Sequence, residues 1–249
     1  MAFLTNIKNT DDRLRIAKVL AMMALLCGTV ALAGINRLWG AAFLRAPVLD
    51  ALRTCDVLVI FIFAPLSIII LWTLFKIYDG PSSIVCAFLF LMGVYMFGLG
   101  FGMHEPFNIF VSKYGSHMSE SMRYSALYFD NDLGHWTFFA GFMLLSISGA
   151  HAEMRKPYVE NLPFKVIACA ALFGAITAVT IFFNMAKEKT GSDLMCLALT
   201  VSIVAVIHFI YSSKSLMRLP VVLALYIAFG GGTALTLFYW AAFGYGAGR

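Results

Sequence analysis

Seven uninterrupted apolar runs, at residues 19–35, 57–75, 84–103, 133–152, 166–186, 194–211 and 219–243, decide what this chain can become. Crossing the roughly 30 Å hydrocarbon core of a bilayer takes about 20 helical residues, which is close to the length of each run. Inside that core a backbone N–H or C=O finds no water. A crossing segment is therefore a helix or a strand of a closed barrel. Barrel strands alternate apolar and polar residues, and these runs do not. The chain is expected to be an all-α polytopic membrane protein, a bundle of about seven transmembrane helices forming a single domain over residues 1–249.

Composition agrees. Hydrophobic residues make up 61% of the chain and charged residues 12%, where a soluble domain carries about 25% charged. Too little polar surface remains to cover a globule in water. The net charge of +5 is scattered over short connections, with no Lys/Arg run of the kind that forms a nucleic-acid arm. The expected partner is the lipid bilayer, with other membrane subunits or further copies of the chain beside it, and no nucleic acid. Cys27, Cys55, Cys86, Cys169 and Cys196 never reach C-x-x-C spacing. They read as small hydrophobes rather than as a disulfide scaffold or zinc knuckle.

The connections carry turn signals at Asp79-Gly80-Pro81, Lys156-Pro157, Leu162-Pro163 and the charged segment 187–191, and Pro220 is placed to open the last helix. The first run has a basic lead and an Ala31-Leu32-Ala33 cleavage-like pattern. Its long, partly acidic lead and the six runs that follow favour a retained helix over a signal peptide. With the amino terminus in the cytoplasm, that side holds ten Lys/Arg and the other eight. This bias sets the expected orientation. No eukaryotic targeting signal is evident, and a bacterial inner (plasma) membrane is the expected location.

Polar residues converge at one place, the non-cytoplasmic loop 104–132 and its borders. The third run ends in Met103-His104-Glu105-Pro106, and the fourth is preceded by Asp130-Asn131-Asp132 and opens Leu133-Gly134-His135. If these helices are antiparallel neighbours, two imidazoles and three carboxylates meet at one membrane face. That donor set suits a divalent metal such as zinc or iron, with His104, Glu105, Asp132 and His135 as ligands and Asp130 as a catalytic base. It suits a proton relay equally. Asp132 and His135, three apart, are expected to share a helix face. The plainer reading makes Asp130, Asn131 and Asp132 helix caps and His135 an interfacial ring.

Sharper motifs fail. His104-Glu105 lacks the second histidine of H-E-x-x-H, because Asn108 stands there. His151-Ala152-Glu153 lacks the P-C-x-x-C of zinc deaminases. Two stacked haems would need His135 and His151 on one helix face, and sixteen residues put them about 160° apart. His208, within the sixth run, reads first as a hydrogen bond to a neighbouring helix. Asp56 and Asp193 each precede an apolar run and read as caps. Gly98 and Gly102 form G-x-x-x-G, whose default meaning is close helix packing. Gly230-Gly231-Gly232 marks either a close crossing or a broken transporter helix, and the crossing is favoured because no charged residue adjoins it.

Three functions compete. The leading one is a divalent-metal site, catalytic or not, at the outer ends of helices three and four, acting on a lipid or small apolar substrate. The second is a proton- or ion-coupled transporter using His208, the outer acids and a hinge at Gly230–Gly232. The third is a non-catalytic subunit of a membrane complex.

Overall fold

A computed structural model of the chain describes residues 7, 9–39, 54–187, 191–211 and 215–244, and these are helical with short connections. Seven helical stretches among them are long and apolar enough to cross a membrane: Thr10–Leu32, Asp56–Ile77, Ile84–Tyr114, Glu120–Arg155, Phe164–Phe183, Asp193–Ile210 and Pro220–Phe243. The protein is thus an all-α polytopic membrane protein. The charged connection expected at 187–191 lies outside the described residues at 188–190, as does the side chain of Cys55.

The elements are α1 (Thr10–Trp39), α2 (Thr54–Leu58), α3 (Ala64–Ile77), α4 (Ile84–Tyr114), α5 (Glu120–Leu127), α6 (His135–Arg155), α7 (Phe164–Lys187), α8 (Gly191–Ile210), α9 (Pro220–Leu225) and α10 (Gly231–Phe243). Three π-helical segments, Val59–Phe63, Tyr128–Gly134 and Tyr226–Gly230, join α2 to α3, α5 to α6 and α9 to α10. We call the face at which α1 begins proximal and the opposite face distal. Helix α6 is central and packs on α3, α4, α8 and α9, while α7 packs on α1, α9 and α10. The first span is part of the bundle, with Ile16 and Val19 wholly buried.

The polar segment 104–132, expected as a loop, is largely helix. Helix α4 runs on to Tyr114, and the chain turns at 115–119 before α5 begins. At 31 residues, α4 is about 46 Å long, well beyond the hydrocarbon thickness of roughly 30 Å. The surplus stands at the distal end as a helical hairpin. His104 lies twenty residues from Ile84, and His135 lies twenty residues from Arg155. Each is therefore about 30 Å from the proximal end of its helix, so both imidazoles sit at the same depth in the bundle, toward its distal end.

Glycine sets the closest approach, but not the pair expected. Gly98 and Gly102 are exposed, and a Cβ built on either meets nothing within 4 Å. The α4–α6 contact runs instead through Gly93, Gly100 and Gly141. A Cβ on Gly141 would stand 2.3 Å from the backbone N of Phe97, and one on Gly100 2.3 Å from that of Phe138. The rings of Phe97, Phe101, Phe138 and Phe142 fill the space beside these contacts. The face was misassigned because G-x-x-x-G spacing alone does not say which side of a helix meets its neighbour.

Two substitutions separate these roles. Gly141→Ala forces a methyl into backbone that no rotamer change relieves, and is expected to destabilise by about 1–3 kcal/mol. Gly98→Ala adds a methyl to open lipid-facing surface and is expected to stabilise by up to about 1 kcal/mol. Equilibrium unfolding in mixed micelles reads both; equal effects would refute the assignment of faces.

The glycine triplet behaves as a close crossing. A Cβ on Gly232 would lie 2.7 Å from Cγ2 of Ile181 on α7. The seventh span passes this point without a break, through its π segment into α10.

Candidate functional site

The distal ends of α4, α6 and α8 bring together two histidine–aspartate pairs. Gly134, immediately before α6, makes this possible. A Cβ there would lie 3.1 Å from the backbone N of His104 and 2.6 Å from the carbonyl oxygen of Phe129, so only glycine lets the head of α6 come so near α4. The His104 and His135 rings then meet edge to face, with centroids 4.6 Å apart.

Each ring is held at Nδ1. His135 Nδ1 donates to Asp193 Oδ2 at 2.7 Å. His104 Nδ1 lies 2.7 Å from Asp130 Oδ1. Its hydrogen, however, is directed to the carbonyl oxygen of Asp130 at 3.3 Å, because Oδ1 itself makes no hydrogen bond. A carbonyl and a carboxylate only accept, so both Nδ1 atoms carry hydrogen in these bonds.

Asp130 is 6% exposed and Asp193 1%. The second oxygen of Asp193, Oδ1, is buried with no hydrogen-bond partner. Anions at the head of a helix are favoured by its dipole, and Asp193 lies in the first turn of α8. That capping reading was the one its sequence context supported. Its pairing with His135, 58 residues away, had no local signal.

The π segment explains which acid of the Asp130-Asn131-Asp132 triplet enters the site. In an α-helix, residues five apart point about 140° away from each other. A π-helix closes its bonds between residues i and i+5, so residues five apart lie over one another. Tyr128–Gly134 is π-helical. Asp130 is therefore carried inward on the same side as His135, and Asp132 is turned outward and exposed. The three-residue spacing that linked Asp132 to His135 holds only for an unbroken α-helix. Glu105, next to His104 on α4, is buried.

Of the five residues expected here, His104, Asp130 and His135 converge, Glu105 is buried beside them in sequence, and Asp132 faces outward. Among the described residues no group of three or more His, Cys, Asp or Glu is arranged to hold a metal ion.

A second polar group occupies the proximal face. Glu153, wholly buried on α6, accepts from the Tyr78 hydroxyl at 2.6 Å and from the backbone N–H groups of Val221 and Val222 at 3.2 and 2.7 Å. It thus caps the head of α9 from another helix. Pro220 occupies the first position of that helix, as expected, where its missing donor costs nothing. Burial pushes the Tyr78 phenol well above its ordinary range, and the Glu153 charge adds to this, so Tyr78 remains a donor. The guanidinium of Arg15 lies 4.1 Å from the centre of the Tyr158 ring and is paired with Asp12 at 2.8 Å. His208 Nδ1 bonds the Tyr226 hydroxyl at 3.3 Å, the interhelical role first expected of it.

A scan against protein-family models gives no match, and comparison with curated proteins and with solved structures gives none either.

Proposed function

We propose that the chain is a proton-coupled membrane protein whose distal histidine pair, His104 and His135, binds and releases the coupling proton. One observation carries this reading: two imidazoles in edge-to-face contact at 4.6 Å, each oriented at Nδ1 by a buried aspartate. Imidazole changes charge between about pH 5 and 8. Ionisable side chains within a membrane bundle are costly to keep there and are functional candidates by default.

Reconstituted protein under an imposed pH gradient is expected to pass protons, read with a pH-sensitive dye trapped in the liposomes. His135→Phe is expected to slow that flux about 100-fold, the scale on which a positioned proton-transfer group acts. No flux from the intact chain ends this reading.

The metal reading rests on the same fixed Nδ1 atoms, because a metal-bound histidine characteristically donates its other N–H to a carboxylate. Zinc or iron would be held by His104 and His135 together with Glu105 and Asp132, and Asp130 would serve as base toward a metal-activated water. That set requires Asp132 to turn inward. Elemental analysis of purified protein decides it: a stoichiometric divalent metal, lost in His135→Ala, would replace the proton reading.

A further inference from the structure

The proximal ends of α4, α6 and α8 hold a third arrangement that neither the distal pairs nor the Glu153 cap uses. Cys86 Sγ lies 3.4 Å from His151 Nδ1, and His151 Nε2 lies 3.1 Å from the Tyr211 hydroxyl. Two spans and the residue that follows a third thus contribute a thiol, an imidazole and a phenol in series. This is the order of a nucleophile, its general base and the group that orients the base. One neutral tautomer satisfies both contacts: Nε2–H donates to the Tyr211 oxygen, and Nδ1 is left to accept the thiol proton.

Position adds to geometry. Cys86 sits in the first turn of the 31-residue helix α4, where its N–H donates to the Ser83 side chain. The same turn opens the third span. Its neighbours Ile84, Val85 and Phe88 are exposed toward lipid, a surface along which a long alkyl chain can lie.

We propose that Cys86, His151 and Tyr211 form an acyl-accepting site that takes a long-chain acyl group from a coenzyme A thioester. Sγ attacks the thioester carbonyl as His151 Nδ1 removes its proton. The new carbon–sulfur bond forms, the bond to the coenzyme A sulfur breaks, and His151 returns the proton to the leaving thiolate. No oxidant or reductant is required. Tyr211 is a positioning residue that fixes the tautomer. The thiol is covered in this structure, so transfer requires the first turn of α4 to part from α6.

The test uses the full chain in liposomes with Cys27, Cys55, Cys169 and Cys196 replaced by alanine, and an alkyne-tagged palmitoyl coenzyme A. One hydroxylamine-labile acyl group per chain is expected, absent in Cys86→Ser. His151→Gln keeps the size and a hydrogen-bonding side chain, and is expected to slow labelling about 100-fold. Tyr211→Phe is expected to change the pH profile of labelling. The proposal is overturned if Cys86 in the folded chain takes no acyl group, if it does so only after unfolding, or if His151→Gln labels at the parent rate.

Discussion

Glu153→Ala is expected to lower the stability of the folded bundle by about 3–5 kcal/mol, the scale on which removing one partner strands a buried polar group. The carboxylate is wholly buried and receives three donors. Its loss leaves the Tyr78 hydroxyl and the N–H groups of Val221 and Val222 with no acceptor, in a place water does not reach. Each stranded donor costs about 1–3 kcal/mol, and the vacated space adds a cavity. Tyr78→Phe removes one donor and leaves the carboxylate its two backbone partners; a loss of about 1.5–3 kcal/mol is expected, as for a hydrogen bond to a charged group. Equilibrium unfolding in micelles ranks the two. If Glu153→Ala were no worse than Tyr78→Phe, the head of α9 would not depend on this carboxylate.

The second large effect is an asymmetry between the two distal aspartates. His135 is oriented by the side chain of Asp193, whereas the hydrogen on His104 Nδ1 goes to the main-chain oxygen of Asp130. Truncating Asp193 releases the His135 ring and its tautomer together. Truncating Asp130 removes a nearby charge but leaves the carbonyl in place. Asp193→Ala is therefore expected to reduce proton flux about 100-fold, and Asp130→Ala distinctly less. Asp193→Asn retains the shape but offers an amide that rotates to present either a donor or an acceptor, so flux is expected between that of Asp193→Ala and that of the parent. Equal losses from Asp130→Ala and Asp193→Ala would mean that the two rings are held alike, contrary to the hydrogen bonding described.

The spans were legible because lipid imposes a single rule on long stretches. Continuous apolarity over about 20 residues leaves a helix as the available solution, and short turns make successive helices antiparallel. The meeting of His104 with His135 follows from that rule once the third and fourth spans are neighbours. Asp193 was not legible as a partner. Its spacing from the fifth span reports only a helix head, and nothing in the sequence fixes how α8 rotates against α6. Asp132 was expected to share a face with His135, and it is exposed while Asp130 is buried, for a different reason. A π segment shifts the register of a face by part of a turn, and Tyr128–Gly134 carries no residue pattern that announces it. The glycines failed in the same way. Spacing identified a packing motif at Gly98 and Gly102, while the contact uses Gly93 and Gly100, on another side of the helix.

The fourth span, Glu120–Arg155, runs 36 residues from one surface to the other. It carries Asp130 and His135 toward its middle and His151 and Glu153 in its last turns. The two polar groups are about 25 Å apart along one helical stretch. A substitution that tilts this stretch is therefore expected to disturb the histidine contact and the glutamate that grips the seventh span together.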